Sequence, residues 1–141
     1  MFASVNEGQP SIAKAKQMVY KRIEQRGYIS NPFNARGLYP ELMGSKWQRL
    51  RAERQSFNYL IQKTARDVMH MLCIQSLPVI KKHGGYLVNL VHDELAVEVA
   101  EENADVLRQE LNTIWQSRMD ILSGTRVNGD WNIGNNWAEA K

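Results

Sequence analysis

The sequence predicts an α+β domain in which long helices pack on a small antiparallel sheet, and three observations predict it. Apolar residues recur at helical spacing over long stretches near the start, in the middle and towards the end of the chain. Short β-branched and aromatic runs come in adjacent pairs separated by turn residues, so they close as hairpins rather than as parallel crossovers. At 141 residues, with 43% hydrophobic and 23% charged residues, the chain has the balance of one globular domain.

Each element has a local reason. Residues 1–9 read as a lead-in and residues 10–141 as a single domain. Pro10 and Ser11 open the first helix; Ile12, Ala15, Met18, Val19 and Ile23 form its apolar stripe, and Gly27 stops it. Tyr28 to Tyr39 has β-prone ends around Asn31-Pro-Phe-Asn34, which predicts a hairpin. Pro40 to Ser45 is a connection with Ser45 placed to cap the next helix, which runs from Lys46 to about Ser76, where Pro78 disfavours continuation. Its buried face is expected to be Phe57, Leu60, Ile61, Thr64, Val68, Met71 and Leu72.

After Gly84-Gly85, Tyr86 to Val91 and Leu95 to Val99 read as two strands joined by His92-Asp93-Glu94. Apolar residues at both parities predict a sheet covered on both faces. Glu101 and Glu102 then start a helix expected to run through Trp115, Met119 and Leu122 to Gly124. Thr125 to Val127 could add an edge strand, and the tail is expected to dock by the indoles of Trp131 and Trp137.

Charge is unevenly spread. From Ser11 to Arg54 ten basic residues face three acidic ones, whereas from Asp93 to Lys141 ten acidic residues face four basic ones. The basic half suits a polyanion such as nucleic acid, although solvated helix faces also carry such charges. The single Cys73 excludes an internal disulfide or a cysteine-rich zinc site, and its apolar neighbours make it a core thiol. Without an apolar run long enough to span a bilayer or serve as a signal peptide, the chain reads as cytoplasmic, with no membrane partner.

Two groups of residues point to chemistry. Arg54, Asn58, Gln62 and Arg66 recur every four residues, forming a row of hydrogen-bonding side chains without net acid that could reach phosphate, sugar or base-edge acceptors. The polar face of an ordinary amphipathic helix offers the same pattern. His-Asp-Glu at the bend of an apolar hairpin costs desolvation unless divalent cations, basic groups or water meet the carboxylates. Asp93 and Glu94 are neighbours on extended backbone and point to opposite sides, so they are not equal ligands of one ion. Two carboxylates alone make an incomplete Mg²⁺ site, and a solvated turn with two acids remains an alternative.

Taken together, Arg36-Gly-Leu-Tyr-Pro40, Ala52-Glu-Arg-Gln-Ser-Phe-Asn58, Ile61-Gln-Lys-Thr-Ala-Arg-Asp67, Val91-His-Asp-Glu94 and Gly134-Asn-Asn-Trp-Ala-Glu-Ala-Lys141 resemble, in this order, the C-terminal part of family A DNA polymerases, the polymerase I-like class of bacteria and bacteriophages. The resemblance runs from about Pro10 to the last residue. It implies part of a polymerase palm, with His92, Asp93 and Glu94 matching the third catalytic motif. Asp93 then helps to hold two Mg²⁺ ions, Glu94 supports the site and His92 lies near the primer terminus. Arg54, Asn58 and Gln62 face the minor groove of the primer-template, and Arg36 and Arg51 join them as DNA-binding residues. Minor-groove acceptors recur in every base pair, so such contacts test pair geometry rather than sequence.

Lys63 and Arg66 depart from the small residues usual in the family's Gln-Gly-Thr-Ala-Ala-Asp. The first-motif aspartate and the fingers Lys and Tyr are not found in this sequence. The resemblance therefore implies the C-terminal subunit of a split, phage-type polymerase. DNA primer-template and dNTP would be its substrates, and a separately encoded N-terminal portion its partner. Alone it is expected to be inactive. The alternative is a non-catalytic relic that binds DNA or protein.

Overall fold

The computed structural model describes residues 10–140; the lead-in predicted for residues 1–9 lies outside them. The chain forms α1 (Pro10–Arg26), β1 (Tyr28–Ser30), β2 (Arg36–Leu38), a 3₁₀ turn (Pro40–Met43) and α2 (Lys46–Lys82). There follow β3 (Tyr86–Val91), β4 (Glu94–Glu98), α3 (Glu101–Trp115), β5 (Arg118–Met119), a second 3₁₀ turn (Asp120–Leu122) and β6 (Thr125–Arg126). Helices and small antiparallel hairpins make an α+β fold, as the sequence predicts. Two compact units divide within α2, after Ala65.

In the first unit α1 closes at Gly27, whose left-handed backbone (φ 72°) lets its N–H reach the carbonyl of Ile23 at 2.7 Å. β1 and β2 pair in the register Tyr28↔Leu38, Ile29↔Gly37 and Ser30↔Arg36. Their turn is built on buried Asn31, whose Oδ1 accepts the N–H groups of Phe33 and Ala35 at 3.1 and 2.9 Å. Ser45 begins α2 as predicted: its hydroxyl lies 3.5 Å from the Gln48 N–H, while Gln48 Oε1 accepts the Ser45 N–H at 2.7 Å, a reciprocal capping box. The core comprises Val19, Ile23, Ile29, Tyr39 and Ala52, with Phe57 and Leu60 packed against it.

In the second unit Ile80, Leu107 and Leu111 form a core joined by Val79, Val97, Val99 and Trp131. The Trp115 indole donates to the buried Ser76 hydroxyl at 3.1 Å, which in turn donates to the Leu72 carbonyl at 2.7 Å. Trp131 meets Trp115 edge-on with centroids 5.0 Å apart, so one of the predicted indole anchors is in place. Cys73 is buried and free, and burial pushes its thiol pKa up, which keeps it protonated and inert.

Several expectations are corrected. α2 continues through Pro78 to Lys82. Proline removes one backbone donor and crowds the carbonyl four residues earlier, but that carbonyl belongs to Ile74, which is exposed and can be hydrated. Val79 and Ile80 are packed in the core just beyond it, which holds the helix together. Ile61, expected in the buried face, is 54% exposed. Near the start of α2 the buried positions are small Ala52 and Ser56, and further along they are Val68, Met69, Leu72, Cys73 and Ser76. The covered stripe therefore rotates around the helix, and Ile61 falls outside it.

α3 ends at Trp115 rather than near Gly124. Met119 is four residues beyond Trp115 and looks helical in spacing, but it is buried from a two-residue strand that pairs Met119 with Thr125 and Arg118 with Arg126. Left-handed Ser123 and Gly124 (φ 57° and 76°) turn the chain back, and the Gly124 N–H bonds the Met119 carbonyl at 2.9 Å. Thr125–Arg126 thus makes its own ribbon instead of an edge on the β3–β4 sheet. That sheet is not covered on both faces either, since Tyr86, Val88 and Val91 are exposed. No helix among the described residues is long and apolar enough to cross a membrane.

Candidate active site

The geometry of the β3–β4 hairpin depends on one extra residue. Leu87 pairs with Val97 and Asn89 with Ala96, so Val88 has no partner across the ladder and forms a bulge. The bulge puts Leu87 and Leu90, three apart, on the same face as Leu95 and Val97. Tyr86, Val91, Glu94 and Glu98 take positions on the other face. A plain alternation of two would have mixed these sets.

Val91 and Glu94 form the last pair, leaving His92-Asp93 as a two-residue turn. Such turns fit the twist of a hairpin when the first residue has positive φ, usually glycine or asparagine. Here that residue is His92, at φ 53°. Histidine is among the non-glycine residues that enter this region more often, yet holding it there costs on the order of 1 kcal/mol. The result is a turn that presents three polar side chains, all exposed.

Asp93 and Glu94 differ in their surroundings. Asp93 makes no hydrogen bond or ion pair with any described residue. Glu94 Oε1 accepts the indole N–H of Trp137 at 2.5 Å. Among the described residues no three His, Cys, Asp or Glu groups gather to hold a metal ion. The donors fit Mg²⁺ in kind, being hard carboxylate oxygens, and fall short of it in number.

The residues expected to touch DNA lie in the first unit. Arg51, Arg54, Asn58 and Gln62 are all exposed and share one side of α2, away from buried Ala52 and Ser56. Arg36 is exposed on β2, with its guanidinium 5.1 Å from the centre of the Tyr28 ring on the neighbouring strand. Stacking there leaves the planar donors free to face outward. Of the two departures from the family's pattern, Lys63 is half-buried and partnered, and Arg66 is exposed.

The sequence pattern of DNA polymerase family A matches residues 3–139. The chain belongs to this family. It is 30% identical over 136 residues to the thermostable DNA polymerase I of Thermus filiformis, a match covering 93% of this chain and 16% of that protein. It is 31% identical over 121 residues to DNA polymerase I of Chloroflexus aurantiacus, covering 82% of this chain and 12% of that one. Among solved structures it resembles the POL domain of Pol1 from M. smegmatis, with TM-score 0.69 and 26% identity over 82% of this chain and 20% of that one. That protein is in complex with DNA primer-template and dNTP. The chain thus spans about a sixth of the length of the Thermus filiformis polymerase.

The sequence singled out the His-Asp-Glu turn and the polar row. The bond from Trp137 to Glu94 joins residues 43 apart, and the sequence predicted only that this indole docks somewhere.

Proposed function

We propose that this chain is the C-terminal portion of a DNA-directed DNA polymerase, a nucleotidyltransferase of DNA replication, completed by a separately encoded polypeptide. The observation that carries the reading is the His92-Asp93 turn, in which left-handed His92 is followed by an exposed carboxylate that bonds no described residue, in a chain of family A. In this reading Asp93 is the ligand that the chain contributes to a pair of Mg²⁺ ions, and the partner supplies the first-motif aspartate and the fingers Lys and Tyr. Bound Mg²⁺ supplies charge stabilisation and a lowered pKa at the attacking hydroxyl.

Each residue of the chain has a task. Glu94 adds negative charge beside Asp93 without sharing its position in the turn. His92 sits against the primer terminus, where its ring can donate or accept a hydrogen bond. Arg54, Asn58 and Gln62 donate to minor-groove acceptors common to all base pairs, and Arg36 and Arg51 neutralise phosphates. The first unit then grips duplex, and the second supplies the carboxylates.

Primer extension with Mg²⁺ and four dNTPs tests this reading, using the chain alone, the upstream polymerase portion alone and their mixture. Synthesis only in the mixture, lost with Asp93→Ala, is the expected result. No synthesis by a well-folded mixture overturns the enzyme and favours a DNA-binding relic, which would still shift a primer-template in a gel.

A further inference from the structure

The tail that follows β6 is bound to itself before it touches anything else. Glu139 accepts from the Asn135 N–H and side-chain amide at 3.0 and 3.2 Å, and from the Asn136 amide at 2.6 Å. Asn136 Oδ1 accepts the N–H groups of Ala138 and Glu139, both at 3.1 Å. Gly134 is pressed against this loop: a Cβ there would lie 2.6 Å from the Ala140 nitrogen and 2.7 Å from Glu139 Cβ. These contacts hold the Asn135 and Asn136 donors on Glu139 and keep its carboxyl below the usual range. The loop leaves one polar group of its central residue to point outward, the indole N–H of Trp137, and this group donates to Glu94.

The choice of donor matters. A Lys or Arg on Glu94 would fix the carboxylate and cancel its charge. An indole N–H fixes it and leaves the full negative charge next to Asp93. Glu94 begins β4 on the more open face of the hairpin, and no other described residue bonds its side chain. We propose that Trp137 is a positioning residue: the self-closed C-terminal loop docks its indole on Glu94 and sets that carboxylate beside the Asp93 turn. This rests on the polymerase reading for its catalytic consequence, but the contact itself does not.

Two measurements separate the contact from the consequence. In the full ¹⁵N-labelled chain the four Trp indoles give separate N–H signals, and Trp137→Phe identifies one of them. Glu94→Ala should shift the Trp137 signal upfield and leave the Trp115 signal, bonded to Ser76, in place. Glu94→Gln, which keeps a carbonyl acceptor, should restore most of the shift. Gly134→Ala, which crowds the loop without touching either partner, should move the same signal. In the assembled polymerase Trp137→Phe should lower kcat about fivefold, the ratio that one hydrogen bond of ordinary net strength corresponds to, with KM for dNTP unchanged. The double variant Trp137→Phe/Glu94→Ala should be no slower than Glu94→Ala alone.

A Trp137 signal indifferent to Glu94→Ala, with the other indoles at their folded positions, overturns the contact. An unchanged kcat in Trp137→Phe, or an equal loss from Trp137→Phe in the Glu94→Ala background, overturns the positioning role. If the parent mixture makes no DNA, the polymerase reading fails while the indole shifts still decide the contact.

Discussion

Two of the three hairpins among the described residues, β1–β2 and β3–β4, each turn through a left-handed residue and use a polar side chain in opposite ways. In the β1–β2 turn Asn34 takes φ 62°, and the Asn31 carbonyl oxygen is buried with two backbone donors. In the β3–β4 turn His92 takes φ 53°, and the carboxylate of Asp93 bonds no described residue. The first turn uses its polar group to satisfy its own backbone, which makes it a structural device. The second has a similar left-handed residue and leaves its carboxylate exposed, with no bond to a described residue. Strain without an internal return is the pattern expected where function, rather than stability, holds a residue in place.

Asp93→Ala should reduce primer extension by the assembled enzyme about 10³-fold or more while leaving thermal stability and gel-shift affinity unchanged. A loss of stability instead would make its turn structural like that of Asn31. The core gives the next largest effect: Leu111→Ala should lower unfolding free energy by about 3 kcal/mol in a urea titration followed by tryptophan fluorescence. Asn31→Ala should cost about 1–2 kcal/mol in the same titration, because two half-buried N–H groups lose their acceptor, and leave kcat of the assembled enzyme unchanged.

Smaller effects sharpen the division of labour. Arg51→Ala should weaken primer-template binding and reduce the slope of log K against log[salt] by about one, as a phosphate contact does, whereas Asn58→Ala should weaken binding with the slope unchanged. The smallest effect is electrostatic. Glu110 accepts from Lys82 at 2.7 Å and lies 3.1 Å from His83 Nε2, and these bonds hold its carboxyl below the ordinary value of 4.5. A depressed carboxyl contributes stability above its unfolded pKa and loses it as pH falls through the folded one. Glu110→Gln should therefore flatten the fall in urea midpoint between pH 5 and pH 3 relative to the parent, with a minor change at pH 7, since the pair is exposed.

Much of the fold could be read from single residues. Gly27 and Ser45 mark a helix end and a helix start because each supplies a local group or a φ that needs no distant partner, whereas Gly124, expected to end a helix, reverses the chain after a short strand and a 3₁₀ turn. The His-Asp-Glu turn and the Arg54-Asn58-Gln62 row were visible for the same reason, as motif and as spacing. What misled was periodicity. Met119 keeps helical spacing from Trp115 and is buried from a strand, and Ile61 keeps the apolar spacing of α2 and faces water. Spacing records which residues avoid solvent together, and has no information on which element covers them.

By itself, then, the sequence determined the class of fold, the turn that carries Asp93 and the polar face of α2, since these rest on neighbours within a few positions, and the family through the order of its motifs along the chain. Only the tertiary structure decided that α2 passes through Pro78, because Val79 and Ile80 are held in a core made with Leu107 and Leu111. It also decided the bulge at Val88, which sorts Leu87 and Leu90 onto one face, and the bond from Trp137 to Glu94. Those outcomes depend on contacts between residues tens of positions apart, whose energies no local pattern of residues records.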